Sequence, residues 1–96
     1  PDIITDIAKQ HPTVFTVGFA AESHDLQQYA IQKLNQKSLN MIVANDISRG
    51  DIGFDSKDNE VSVYWQGGEQ NFQKASKPQI ARQLIQLIAE QYNTSG

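Results

Sequence analysis

Two stretches decide the fold: Thr13-Val14-Phe15-Thr16-Val17-Gly18-Phe19 and Leu39-Asn40-Met41-Ile42-Val43-Ala44, separated by about twenty mostly polar residues. The first is β-branched and aromatic, and the second carries a short unbroken apolar run. Strands buried on both faces of a parallel sheet have this composition, whereas a half-solvated strand would alternate. Two such strands joined by a helix make a βαβ unit, so we expect an α/β, Rossmann-like fold with a parallel sheet fragment. Gly18, Ala20 and Ala21 stand where the first strand gives way to the helix. Small residues there let a ligand approach the carboxyl end of a strand, where open α/β sheets bind, and we expect the crevice at that place.

The crossover helix is expected to start at Ser23 or Asp25, either of which can cap it, and to reach Lys37. At ~100° per residue, Leu26, Ala30, Lys33 and Lys37 fall within roughly 60° of one another, with Tyr29 and Leu34 on the flanks. The inward stripe therefore turns from apolar to cationic. The two lysines repel at i, i+4, and neither has an acidic residue three or four positions away in the helix. An anion from elsewhere would relieve both. Lysines near a helix C-terminus also complement the helix dipole and lay their stems along apolar surface, so this pattern alone leaves a structural role open.

Around this unit the remaining elements follow. Residues 2–10 place Ile3, Ile4, Ile7 and Ala8 on one face, an amphipathic helix that His11-Pro12 ends. Its start, Pro1-Asp2-Ile3, could offer unpaired N–H groups to an anion, or Asp2 could simply cap its own helix. Residues 46–59 form a long loop rich in Gly, Asp, Ser and Asn. Its aspartates lack the loop glycine and twelfth-position glutamate of a calcium-binding hand, so no metal site is assigned to it. Residues 60–65 alternate Val61, Val63 and Trp65 against Ser62 and Tyr64, a strand with one buried face. A turn at 66–69 and a short return strand at 70–74 with Phe72 inward complete a β-hairpin, in which Tyr64 and Trp65 are packing residues. Ser76-Lys77-Pro78 opens a covering C-terminal helix with Ile80, Ala81, Leu84, Ile85, Leu87 and Ile88 on one broad face and Tyr92 near its end. Residues 93–96 should fray.

Composition excludes several classes of function. In a chain of 96 residues with net charge −3 and no basic stripe, nucleic-acid binding through phosphates is not expected. It has no cysteine, hence no disulfide framework and no thiolate chemistry, which suits a reducing cytoplasm. No apolar run approaches the ~20 residues that span a bilayer, so no membrane association is expected. His11 and His24 occupy loop positions without a serine motif, and His24 is expected to be a solvent-exposed loop residue. Gly18 alone meets neither the dinucleotide fingerprint nor the phosphate loop.

Val17-Gly18-Phe19-Ala20-Ala21-Glu22-Ser23, Tyr29-Ala30, Lys33-x-x-x-Lys37 and Ile42-Val43-Ala44-Asn45-Asp46-Ile47-Ser48 together resemble the phosphopantothenate–cysteine ligase domain. In bacteria that domain usually forms the second half of a bifunctional coenzyme A biosynthesis protein. The resemblance spans nearly the whole chain but only the C-terminal half of the family domain, so residues 1–96 are expected to be its CTP-binding half with the N-terminal half absent. It implies a reaction in which CTP and magnesium activate 4′-phosphopantothenate as an acyl-cytidylate, after which cysteine displaces CMP. It further implies nucleotide contacts by Pro1, Asp2, Ile3, Phe19, Lys33 and Lys37, and assembly as a dimer. The K-x-K-K motif and the asparagine of the family lie upstream and have no counterpart here, so no catalytic residue is assigned and the chain alone is expected to be inactive. FMN belongs to the separate decarboxylase half. Gly53-Phe54-Asp55-Ser56 and Asn59 look like the family's G-F-x-S-D-x-N segment, with Lys57 where an aspartate is usual. The alternatives to this reading are a non-catalytic phosphate-ligand binding module using the same lysines and a structural interaction domain.

Overall fold

The computed structural model describes residues 14–52 and 56–95. The expected helix over residues 2–10, the contacts of Pro1, Asp2 and Ile3, and the Gly53-Phe54-Asp55 part of the loop lie outside the described residues. The elements are β1 (Val17–Glu22), α1 (Leu26–Gln36), β2 (Met41–Asp46), β3 (Asp58–Trp65), β4 (Gly68–Ser76) and α2 (Lys77–Ser95). They form one four-stranded sheet in the order β1-β2-β3-β4, parallel between β1 and β2 and antiparallel beyond. The expected βαβ unit, hairpin and covering helix are all present.

Both strands of the βαβ unit sit later in the chain than the apolar pattern predicts. The parallel ladder runs from Val17 opposite Met41 to Glu22 opposite Asp46. Residues before Val17 are held differently: the Thr16 backbone N–H donates to Asn40 Oδ1 at 2.8 Å, and the Asn40 and Met41 N–H groups both donate to the Thr16 carbonyl. This side-chain clasp takes the hydrogen bonds a further ladder step would have used. At the other end, pairing carries the strands through residues of lower β propensity, since backbone partners outweigh an intrinsic preference of this size.

The core has two layers because each face of the sheet has its own helix. On one side Ala20, Ile42, Ala44 and Tyr64 pack with Ala30, Leu34 and Leu39, the α1 layer. On the other Met41, Val43, Val61, Val63 and Phe72 pack with Ile80 and Leu87 of α2. Tyr64 is consequently only 6% exposed, the packing residue it was expected to be, although it lies on the face of β3 opposite Val61 and Val63. Gly18 is small where this packing requires it. A Cβ there would lie 2.5 Å from Leu39 Cδ1.

Helix α1 has the expected bounds, from an N-cap at Asp25 to a C-cap at Lys37, but its caps are made by the backbone. Asp25 is the N-cap residue, but its backbone is left-handed and its side chain makes no capping bond, pairing instead with His24. At the far end Ser38 takes a positive φ of 55°, and its N–H and that of Leu39 return to the carbonyls of Asn35 and Leu34. This is a Schellman closure with Ser38 in the place glycine prefers, sealed by burial of Leu34 and Leu39 together.

The hairpin turn is two residues, Gln66 and Gly67, with Gly67 at φ 96°, so β4 is longer than the expected return strand. A bulge falls between Asn59 and Val61. In α2 the Gln79 N–H donates to Ser76 Oγ, as a cap at Ser76 requires. Its inward face is narrower than the sequence suggests: Ile80 and Leu87 are buried and Leu84 and Ile88 partly so, but Ala81 is exposed and Ile85 is 68% exposed. Ile85 belongs instead to an apolar groove of about 430 Å³ lined by Phe15, Val17, Ile88, Ala89 and Tyr92. The helix does not end at residue 92; Tyr92 meets Phe15 edge-on at 5.7 Å and the helical turn continues to Ser95.

Candidate functional site

The carboxyl ends of β1 and β2 and the start of α1 gather the polar residues that the sequence singles out. Alternation along β1 puts Val17 and Phe19 on the α2 side and Gly18, Ala20 and Glu22 on the α1 side. Lys33 reaches this strand end from above. Helical side chains tilt toward the N-terminus of their helix, which carries the ammonium back toward the strand's end. There Lys33 Nζ meets Glu22 Oε1 at 2.7 Å, with the lysine side chain 41% and the carboxylate 17% exposed. The anion expected for the lysine pair is thus, for Lys33, supplied by the chain itself. The sequence carries a signal for it, since Glu22 has the same strand parity as Gly18 and Ala20 and so must face α1.

The lysines do not continue the inward stripe as expected. Ala30 and Leu34 occupy the buried side of α1, and Lys33 and Lys37 are half-buried at its rim. Lys37 is the C-cap residue, about 6 Å further along the helix axis from the strand's carboxyl end. Phe19, by contrast, is 74% exposed and stands on the opposite face of the sheet from the lysines. The structure therefore brings Lys33 to the end of β1 but does not bring Phe19 and Lys33 onto one surface. His24 is exposed, as expected, and lies 5.5 Å from the Tyr29 ring in an edge contact.

The loop after β2 is built by charge pairing that the sequence reading did not foresee. Asp46 accepts from the Ser48 N–H and hydroxyl, and these bonds lower its pKa. Arg49 grips Asp51 with two donors at 2.8 and 3.1 Å and Glu60 at 2.9 Å, while Lys74 reaches Asp51 at 3.4 Å. The Arg49 hydrogen bonds hold Asp51 down at a pKa of about 2, and the same bonds raise the guanidinium further. Ile52, only 4% exposed, anchors the loop to the body. Among the described residues no group of three or more His, Asp and Glu converges to hold a metal ion. No described helix is long and apolar enough to cross a membrane.

A cleft of about 280 Å³ lies on the flank of α1 opposite Lys33, between Gln27, Ile31 and Asn35 on the helix and Tyr64, Trp65 and Glu69 of the hairpin. At the end of β1, where the crevice is expected, the Glu22–Lys33 pair bridges strand and helix. Chemically, that end offers an ammonium held in an ion pair at the mouth of the parallel strands.

Comparison with known proteins agrees with this architecture. The sequence matches the family of the DNA/pantothenate metabolism flavoprotein C-terminal domain over residues 1–92. It is 43% identical over 94 residues to the coenzyme A biosynthesis bifunctional protein CoaBC of Vibrio cholerae, covering 95% of this chain and 23% of that protein. The CoaBC of Haemophilus influenzae is 42% identical over 94 residues, with 96% and 23% covered. A crystal structure of the C-terminal domain of CoaBC superposes with a TM-score of 0.74 at 30% identity, over 92% of this chain and 40% of the other. The chain thus spans about a quarter of the length of the curated relatives it matches.

Proposed function

Since this chain belongs to the DNA/pantothenate metabolism flavoprotein C-terminal domain family, we propose that it forms the CTP-binding part of a phosphopantothenate–cysteine ligase in coenzyme A biosynthesis. The observation that carries the reading is the position of Lys33, whose ammonium sits at the carboxyl end of a parallel strand, where open α/β sheets take their ligands. In the reaction the carboxylate of 4′-phosphopantothenate attacks the α-phosphorus of CTP, pyrophosphate leaves, and the acyl-cytidylate forms. The amine of cysteine then attacks the acyl carbon, and CMP departs with the bonding electron pair.

In this reading Lys33 and Lys37 neutralise the charge that grows on the departing pyrophosphate, a fixed electrostatic contribution with little reorganisation. Phe19 offers its exposed ring to the base, and Pro1, Asp2 and Ile3 present backbone groups to the nucleotide. Magnesium enters bound to the triphosphate, its usual mode, with one or two protein carboxylates at most. The groups that handle the acyl-cytidylate come from the part of the domain that the relatives carry outside the matched segment, so the 96-residue chain is not expected to turn over alone. A flavin belongs to the separate decarboxylase half, and a cytoplasmic dimer is the setting this reading implies.

The test is a titration of CTP, ATP, GTP and inorganic phosphate into the chain and its Lys33→Ala and Lys37→Ala variants. A preference for CTP that both substitutions remove is the expected result. Equal binding of every phosphate compound would replace this reading with that of a general phosphate-binding module, and no binding of any would leave a structural domain.

A further inference from the structure

Among the ion pairs of the described residues Glu22 is the least exposed carboxylate, and it spends that position on Lys33. It is the last residue of β1 and lies across from Asp46, the last residue of β2, so it marks the mouth of the parallel pair. Its backbone carbonyl accepts the Ile47 N–H at 2.9 Å, which fixes the strand end from which the carboxylate projects. The ion pair is therefore rigid on one side and flexible on the other, with a lysine stem that can move. Any phosphate that approaches Lys33 meets a charge already compensated at 2.7 Å.

We propose that Glu22 is a resident anion, a placeholder that occupies Lys33 while no phosphate is bound and sets how tightly the site holds polyphosphate. The inference rests on the reading of Lys33 as a phosphate-binding group. A bound phosphate must either displace the carboxylate or share the ammonium with it, and in both cases the like charges oppose each other. The consequence for the proposed reaction is that pyrophosphate, once released from the nucleotide, is not trapped on the lysines. A glutamine at position 22 keeps an acceptor oxygen for Lys33 but removes the competing charge. One unit charge within about 5 Å at a partly exposed site, screened by salt, alters anion affinity on the order of threefold to tenfold.

Inorganic pyrophosphate is titrated calorimetrically into the unaltered chain, Glu22→Gln, Lys33→Ala and the double variant, each at low and high salt. Glu22→Gln should bind about three- to tenfold more tightly, with a steeper loss of affinity as salt rises, and the same exchange in the Lys33→Ala background should change nothing. Unaltered or weaker binding by Glu22→Gln, or an equal gain without Lys33, overturns the placeholder role. A chain in which Lys33→Ala binds as well as the unaltered protein, or in which no variant binds, overturns instead the phosphate reading of Lys33. Independently of any substitution, the carboxyl carbon resonance of Glu22 should shift when pyrophosphate is added to the unaltered chain. A resonance that stays in place while the ligand binds also rules the proposal out.

Discussion

Asn40 and Thr16 hold the entrance of the parallel strand pair between them: Asn40 Oδ1 accepts the Thr16 N–H at 2.8 Å, and the Asn40 N–H returns to the Thr16 carbonyl at 3.0 Å. Thr16 is only 8% exposed, so its amide has no solvent to fall back on. Leaving a buried donor without a partner costs about 1–3 kcal/mol. Asn40→Ala should therefore lower stability by that amount, which a urea midpoint reads directly. A midpoint unmoved by the exchange would mean that the clasp follows from the ladder and does not set its start.

Gly18 and Leu39 make a second prediction. A methyl at position 18 would press on Leu39 Cδ1 inside the α1 layer, where Leu39 is 6% exposed. Overpacking of this kind costs about 1–3 kcal/mol. Gly18→Ala should destabilise the chain, and Leu39→Val should recover part of the loss in the double variant, because contacting residues are not additive. Simple additivity would show that the two positions do not compete for the same space.

Ser38 predicts a gain. A non-glycine residue held left-handed costs roughly 1–2 kcal/mol, partly offset by the greater chain entropy that glycine loses on folding. Ser38→Gly should stabilise by about 0.5–1 kcal/mol, or a rise of several degrees in melting temperature for a domain of this size. A fall would mean that the serine side chain contributes more than its backbone geometry costs.

These relationships separate what was legible in the sequence from what was not. The unbroken run Met41–Ala44 could only be a strand covered twice, and the structure covers it twice. In β3 the alternation of Val61, Val63 and Trp65 against Ser62 and Tyr64 shows one buried face only, because burial of the second face, where Tyr64 packs, belongs to the whole sheet. The lysine positions were readable from helical spacing, but Glu22 and Lys33 are eleven residues apart on different elements. Only the combination of strand parity with helix tilt makes them neighbours. Arg49, Asp51, Glu60 and Lys74 come from a loop and two strands, and no local pattern announces such a network.

That network carries a pH prediction. Asp51 has a folded pKa of about 2, below the ~3.9 of an unfolded aspartate. A depressed carboxylate contributes stability in full above the unfolded value and loses it as pH falls through the folded one. The stability gap between the unaltered chain and Asp51→Asn should therefore be constant above about pH 4 and close between about pH 4 and pH 2. Urea midpoints of both proteins across that range test it, and a gap independent of pH would show that the Arg49 contacts do not depend on the charge of Asp51.

Phe19 offers the sharpest separation of nucleotide recognition from folding. Its ring is 74% exposed on the α2 side of β1, so its removal exposes no core and should change stability by no more than about 0.5 kcal/mol. Lys33 lies across the sheet from it, and a nucleotide that touches both must pass around the end of β1, base on one side and phosphates on the other. Two substitutions should then divide the ligand between them. Phe19→Ala should weaken CTP while leaving inorganic pyrophosphate unaffected, and Lys33→Ala should weaken both. Stacking of a base on an aromatic ring is worth ~1–3 kcal/mol, so the loss for CTP should be at least fivefold. If Phe19→Ala leaves CTP affinity intact in a chain that still prefers CTP, the base is read elsewhere, and the exposed ring serves a contact with another surface.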